Sequence, residues 1–167
     1  MKYFSFALVL IGLIAIPSCY FDDDTPYNND RFVDGIMDGE YFNSFNASAY
    51  YYPEYYENGI YYPGELLIEI PLYFNGRFYG EYLSINVYDF RGPGYYSMDI
   101  FQPFVNADAV YENSQDLVNQ YSDGGYIEVT YMDTNRRFIE GDFRIHMAPN
   151  LGFFPFDIRN GRFRLNY

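Results

Sequence analysis

Hydrophobic and polar residues alternate along most of the chain that follows residue 31. In residues 65–74, every second residue from Leu66 to Phe74 is apolar, and Glu65 and Glu69 lie on the opposite face. A period of two with one apolar face is typical of an antiparallel sheet that packs one face on a core. The same alternation recurs at residues 82–90, 126–132, 138–147 and 162–167.

Pairs of turn-forming residues separate these runs. Asp38-Gly39, Asn75-Gly76 and Asn160-Gly161 are dipeptides favoured in tight hairpins, because both central residues of such turns adopt positive φ. Residues 91–94 and 133–135 combine Gly, Pro, Asp and Asn, which predicts further reversals of the chain.

Two further segments carry specific expectations. Residues 107–121 are the best candidate for a helix, but their apolar residues only loosely share a helical face, so we expect a short helix or a loop. In residues 126–132, strict alternation predicts that Ile127, Val129 and Tyr131 all point inward.

These patterns predict an all-β fold for residues 31–167, which we interpret as a single β domain. Short, aromatic-rich strands joined by tight turns favour an antiparallel β-sandwich of about eight to ten strands. A lipocalin-like barrel is the alternative, and a closed barrel with an internal cavity would make the protein a carrier of a small apolar ligand.

The N-terminus has the layout of a signal peptide. Lys2 precedes an apolar run from about Phe4 to Ile16, and Pro17 and Ser18 follow it. This layout predicts that residues 1–18 are a secretory signal. The apolar run is shorter than the roughly 20 residues that a membrane-spanning helix needs.

Cys19 is the only cysteine and stands where the signal ends. The segment Ile16–Cys19 resembles the lipobox of bacterial lipoproteins, in which this cysteine is acylated and becomes the first mature residue. The resemblance implies stable lipid anchoring in a membrane, because two or more acyl chains hold a protein on a bilayer. The alternative is an ordinary secretory signal with an incidental cysteine.

Residues 19–30 are polar and acidic, and we expect a tether there. Tyr20-Phe21 followed by three aspartates resembles the acidic export tag of Bacteroidota lipoproteins. That resemblance implies a lipoprotein of the outer membrane that is displayed on its outer face, at the cell surface.

Three motifs in the last third of the chain follow one another at short intervals, at residues 125–130, 137–143 and 158–163. They resemble successive motifs of a family of Bacteroidota lipoproteins of unknown function, and residues 33–42 and 92–96 resemble earlier elements of that family. The resemblance implies an all-β, surface-anchored lipoprotein. It implies no activity and no site.

Composition and charge exclude several classes of function. The 167 residues carry a formal charge of −13, with one Cys, one His, no Trp, 22 Tyr and 17 Phe. Without the signal, nine Arg face 23 acidic residues, and the charge splits into −17 for residues 19–135 and +3 for residues 136–167. The acidic excess argues against a nucleic-acid partner. We therefore expect membrane contact through lipid on Cys19 rather than through a basic patch.

The chain offers few candidates for catalysis or metal binding. A small hydrolase could use Glu128, Glu140, Asp142 or His146, but the sequence shows no nucleophile motif to accompany them. We therefore assign no catalytic residue, expect no enzyme and no cofactor, and assign no metal site. A calcium site at residues 22–24 or 28–30 is conceivable from their oxygen-rich side chains, although an EF-hand spacing is lacking.

The most distinctive segment is YYYPEYYENGIYY, residues 50–62. A tyrosine offers a flat apolar face and a hydroxyl group, which suits contact with a glycan, a peptide or an envelope protein. The alternative is that these rings cover the edge of the core and one another. The candidate ligand-binding residues are Tyr50, Tyr51, Tyr52, Tyr55, Tyr56, Tyr61 and Tyr62.

Overall fold

The computed structural model describes residues 31–150 and 153–167. Twelve β-strands and no helix occur in these ranges, as the alternating pattern predicts. The strands are β1 (Phe32–Met37), β2 (Glu40–Ser44), β3 (Ser48–Tyr52), β4 (Tyr55–Glu57), β5 (Ile60–Tyr62), β6 (Glu65–Phe74), β7 (Arg77–Tyr88), β8 (Gly94–Ser97), β9 (Ala107–Asn113), β10 (Val118–Asp133), β11 (Phe138–Met147) and β12 (Phe156–Asn166).

Eight of the strands form one antiparallel sheet that closes on itself. The hydrogen-bonded path runs β11–β12–β1–β2–β6–β7–β9–β10, and β10 pairs back with β11. The predicted all-β, antiparallel class is confirmed. The closure gives the sheet a barrel-like form, which is consistent with the alternative architecture.

Strands β6 and β10 are each long enough to pair with two shorter strands, one after the other, along the same edge. Strand β6 pairs with β3 over residues 65–69 and with β2 over residues 73–74. Strand β10 pairs with β9 over residues 118–121 and with β8 over residues 126–129. Strands β4 and β5 pair only with each other and form a separate two-stranded ribbon.

Large apolar side chains fill the interior of the closed sheet. The fully buried set includes Phe42, Phe143 and Phe163, together with the alternating residues of β6 and β7. An eight-stranded barrel is about wide enough for side chains to fill its interior. An interior of this width can also hold one small ligand, so the alternative of a carrier for a small apolar ligand stays a prediction.

The hairpin predictions at Asp38-Gly39 and Asn75-Gly76 are confirmed, since all four residues have positive φ and join paired strands. The hairpin prediction at Asn160-Gly161 is wrong, because β12 continues through both residues. Asn160 has a φ of 52°, and both neighbours of β12 shift register beside it, which marks a β-bulge.

The expectation of a short helix or loop at residues 107–121 is also wrong. Residues 107–113 form β9, residues 114–117 form a turn, and β10 begins at Val118. Small Ala107 and Ala109 occupy the inner face of β9, so the sequence lacks the large apolar residues that would reveal a strand. Tyr131 is exposed rather than buried, because a register shift between Val129 and Tyr131 turns its side chain outward.

The signal segment 1–18, Cys19 and the acidic tether 19–30 lie outside the described residues. So do both calcium candidates, at residues 22–24 and 28–30. In the part of the chain that the structure describes, no helix is long and apolar enough to cross a membrane.

Candidate functional site

A polar groove crosses the outer surface of the sheet over β10, β11, β12 and β1. Its central depression has a volume of about 790 Å³, and two flanking depressions of about 580 Å³ share lining residues with it. We call this surface the β11–β12 groove. Its charged lining residues are Asp34, Asp99, Asp142, Arg144, His146, Asp157, Arg159 and Arg162, and Asp38 lies at one end.

Ion pairs fix two of the arginines in the groove. Arg162 makes a bidentate contact with Asp34, at 3.0 Å from Nε to Oδ1 and 2.6 Å from Nη2 to Oδ2. Asp34 is only 8% exposed, so the pair is held at the base of the groove. Arg159 contacts Asp157 at 2.5 Å, and its hydrogen bond holds the pKa of that carboxyl below the ordinary value of 3.8.

Arg144 differs from these residues because its guanidinium has no carboxylate partner among the described residues. It lies on β11 and lines both the central depression and the first flanking depression. Its direct cross-strand neighbour is Tyr126 on β10. The guanidinium is exposed, and its charge contributes to the lowered pKa of Asp157.

His146 continues the same face of β11. Its Nδ1 atom lies 2.5 Å from Oδ1 of Asp123, so the carboxylate orients the ring. Gly124 is the cross-strand neighbour of His146 and carries no side chain, and Gly125 follows it. Gly125 and His146 both line the first flanking depression.

Tyrosines flank the central depression. Tyr126 lies on β10 and Tyr41 on β2, with β11, β12 and β1 between them. The Tyr41 hydroxyl contacts Asp34 at 3.4 Å, and burial together with the nearby Asp142 raises the pKa of Tyr126. Tyr95 on β8 stacks on Tyr126 with a centroid distance of 5.1 Å.

The residues considered for a hydrolase do not converge. Glu128 and Asp142 are cross-strand neighbours, but Asp142 lines the central depression while His146 lines the flanking ones. Glu140 is bound by Arg164, at 3.2 Å from Nε and 3.1 Å from Nη2. Neither Glu128 nor Glu140 lines the groove.

The predicted tyrosine segment forms a second surface, centred on the β4–β5 ribbon. Tyr55 stacks on Tyr62 with a centroid distance of 4.6 Å, and Tyr56 packs beside Tyr61 at 5.1 Å. Because side chains alternate along each strand, the two pairs lie on opposite faces of the ribbon. Tyr56 is 75% exposed.

The Tyr56–Tyr61 face borders a depression of about 460 Å³. Tyr51 and Phe90 complete its aromatic lining, and Glu54 and Arg91 supply its charged groups. The Tyr61 hydroxyl donates to Glu54 at 2.7 Å. This arrangement combines aromatic faces with polar groups at the edge.

The seven candidate tyrosines do not form one surface. Tyr51 packs edge-to-face on Phe90 and Tyr167, each at 5.5 Å, and so covers the core. Tyr50 and Tyr52 lie on β3 and are exposed. Tyr51 therefore covers the edge of the core, as the second interpretation predicts, and ligand contact by the exposed tyrosines stays a prediction.

No group of three or more potential metal-ligating side chains occurs within residues 31–150 and 153–167. The sequence pattern did not identify the β11–β12 groove, although the excess of arginine after residue 136 pointed to its strands. The missed residues are Asp34, Asp38, Tyr41, Tyr95, Asp99, Asp123, Tyr126, Arg144, Asp157, Arg159 and Arg162.

Comparisons with models of protein families, with curated proteins and with solved structures find no match for this chain.

Proposed function

We propose that this chain is a lipoprotein of the bacterial cell envelope, anchored in the outer membrane by acyl chains on Cys19 and displayed at the cell surface. The β domain is a non-catalytic binding module. It contacts a glycan, a peptide or an envelope protein through the tyrosine ribbon and its depression.

The observation that carries the binding proposal is the exposure of the ribbon tyrosines outside the closed sheet. Tyr55, Tyr56 and Tyr61 are exposed, although the main core is complete without them. Exposed aromatic clusters with polar groups at the edge are typical of interaction surfaces. The Tyr56–Tyr61 depression supplies such a surface.

A ligand screen tests the binding proposal. The full chain in detergent is applied to a glycan array and a peptide array, and each bound probe is then measured by titration. We expect Tyr56→Ala to weaken binding about tenfold, because removal of an aromatic contact costs on the order of 1–3 kcal/mol.

Tyr121→Ala is the matched control, because Tyr121 is an exposed tyrosine on β10 that lines neither surface. Equal binding by both variants, or no bound probe on either array, would contradict the role of the ribbon.

Cell fractionation tests the anchor separately. We expect Cys19→Ala to move the protein from the membrane fraction to the soluble fraction, because the variant lacks the acylated thiol. Ser18→Ala keeps the cysteine and serves as the control. Unchanged membrane association of Cys19→Ala would contradict lipid anchoring.

A further inference from the structure

A depression lined by arginines lies at the end of the closed sheet where the described chain begins. We propose that it holds the acidic segment that precedes β1, residues 22–30, with the carboxylates of Asp22–Asp24 on Arg31 and Arg136. This contact lies within the chain. It depends neither on lipid at Cys19 nor on the tyrosine ribbon.

Strand pairing brings the arginines of this depression together. Arg31 directly precedes β1, whose first residue, Phe32, pairs with Arg164 on β12. Arg136 lies in the turn between β10 and β11, and β11 begins beside the end of β12. The three arginines line one depression with a volume of about 590 Å³, which we call the arginine depression.

The lining of the arginine depression is positively charged, unlike that of the β11–β12 groove. Three arginines and one acid, Asp133, line it, whereas five aspartates face three arginines in the groove. Arg164 is held by Glu140 at 3.1 Å. Arg136 contacts Asp133 only at 3.8 Å, and its side chain is 87% exposed. Arg31 is exposed and forms no ion pair with another residue of the described ranges.

The one acid of the lining is engaged by its own turn. Oδ1 of Asp133 accepts hydrogen bonds from the backbone N–H groups of Asn135, at 2.9 Å, and Arg136, at 3.0 Å. A carboxylate that enters the depression therefore meets Arg31 and Arg136 and no second acid of the lining.

The segment before Arg31 supplies the opposite charge within reach. Residues 22–30 carry four aspartates and neither Arg nor Lys. Asp24 is seven positions before Arg31, so the chain between them spans at most about 25 Å. Residues 25–30 include Pro, Asn and Asp, which favour chain reversals. A reversal there returns the run Asp22–Asp24 to the arginine depression.

Aromatic side chains on both sides of this contact add to the match. Tyr131 lines the depression and is 47% exposed, and its ring centroid lies 6.2 Å from that of Phe138. Phe21 and Tyr27 flank the acidic run. Tyrosine and phenylalanine rings gain from packing on one another as well as from burial. The segment therefore offers both the charges and the rings that the depression can contact.

The covalent connection favours this segment over an anionic lipid surface. A short flexible linker holds its segment at an effective concentration in the mM range. The four aspartates also lie between the arginines and any membrane that holds Cys19, and they repel anionic headgroups.

Docking changes the reach of the N-terminal segment. Fully extended, the twelve residues from Cys19 to Arg31 span at most about 40 Å. With Asp22–Asp24 on the arginine depression, Cys19 is three positions from the docked run. This end of the sheet therefore lies closest to whatever holds Cys19.

NMR spectroscopy of the full chain in uncharged detergent tests the contact, through the exchange of each arginine Nε–H proton with water. The test variant combines Asp22→Asn, Asp23→Asn and Asp24→Asn, which remove the charges at almost constant size. The control variant combines Asp38→Asn and Asp116→Asn, two exposed aspartates in turns at the opposite end of the sheet. Circular dichroism checks that both variants keep the fold.

We expect the Nε–H protons of Arg31 and Arg136 to exchange about fivefold faster in the test variant, the sum of several exposed ion pairs. Arg77 begins β7 at the opposite end of the sheet, and its rate should not change. The control variant should match the unsubstituted chain at all three arginines. At 1 M salt, where screening acts over about 3 Å, the difference should disappear.

Four results would overturn this assignment. The first two are unchanged exchange of Arg31 and Arg136 in the test variant, and an equal change in the control variant. Protection that rises with protein concentration would place the segment on a neighbouring copy. Protection that survives in the test variant and needs phosphatidylglycerol in the micelles would assign the depression to anionic lipid.

Discussion

The β11–β12 groove and the tyrosine ribbon are both rich in tyrosine and charged groups, but different structures support them. The groove lies mainly on β10, β11 and β12, which have 10 to 16 residues and belong to the closed sheet. The ribbon consists of two three-residue strands that pair only with each other. Preorganisation of each surface therefore depends on the sheet beneath it and not on its own composition.

Hydrogen exchange should show the largest difference between the two surfaces. Isolated two-stranded ribbons are marginally stable, whereas strands in a closed sheet open only with much of the fold. We expect amides of residues 55–62 to exchange about 1,000-fold faster than those of residues 126–129 and 142–146, equivalent to about 4 kcal/mol. Equal protection, measured by mass spectrometry, would show that the ribbon is part of the same cooperative unit.

A pair of glycine substitutions compares the backbone under each surface. Gly125 and Gly59 both have positive φ, but a Cβ at Gly125 would overlap the Arg144 carbonyl, while Gly59 has open space. We expect Gly125→Ala to lower the free energy of unfolding by about 3 kcal/mol or more, or to prevent folding. Gly59→Ala should cost about 1 kcal/mol, from backbone strain alone.

Urea denaturation measures both variants. Similar losses at the two positions would show that the sheet beneath the groove can adjust to the added methyl group, against the preorganisation inferred for it.

Double-mutant cycles compare one polar pair from each surface. Asp34 and Arg162 form a bidentate pair with a nearly buried carboxylate, whereas Glu54 and Tyr61 pair in full exposure. From alanine cycles we expect a coupling energy of about 1–2 kcal/mol for Asp34–Arg162. The ribbon pair should show no measurable coupling, and a coupling as large as that of the groove pair would remove this distinction.

The smallest expected effect concerns pH. The hydrogen bond from Arg159 lowers the pKa of Asp157, so the folded state favours the ionised carboxylate. The resulting stabilisation is present above about pH 4 and is lost as the pH falls through the folded-state pKa. Asp157→Asn should therefore lower stability by a few tenths of a kcal/mol at neutral pH.

Thermal melting between pH 2 and 7 measures this effect. The difference between Asp157→Asn and the unsubstituted chain should disappear at the acid end. Glu57→Gln, on the ribbon, is the control and should leave the profile unchanged. A difference for Asp157→Asn that persists at low pH would mean that the carboxylate does not act through its ionised form.

The sequence alone allowed prediction of the fold class and most inward-facing positions. Alternation is a local property, and the apolar residues of β6, β7 and β11 are buried as their period of two requires. The errors occur where the local pattern is interrupted. Bulges at Asn160 and beside Tyr131 change the register by one residue. In β9 the inward-facing residues Ala107 and Ala109 are small, so the sequence shows no alternation of large apolar residues there.

The ribbon could be identified from its composition because its tyrosines are contiguous in the sequence. The groove could not, because it unites residues that are distant along the chain. Asp34 and Arg162 are 128 positions apart, and Tyr126 and Tyr41 lie on strands that the closed path places on either side of β11, β12 and β1.

The antiparallel class and the tyrosine segment therefore follow from the sequence alone, since both depend on neighbouring residues. Closure of the sheet, the bulges and the groove were decided by tertiary structure. Strand pairing joins distant segments by backbone hydrogen bonds, and these bonds do not depend on which side chains the segments carry. The register of the strands is fixed only when the whole core packs. The register in turn decides which side chains meet on the outer face.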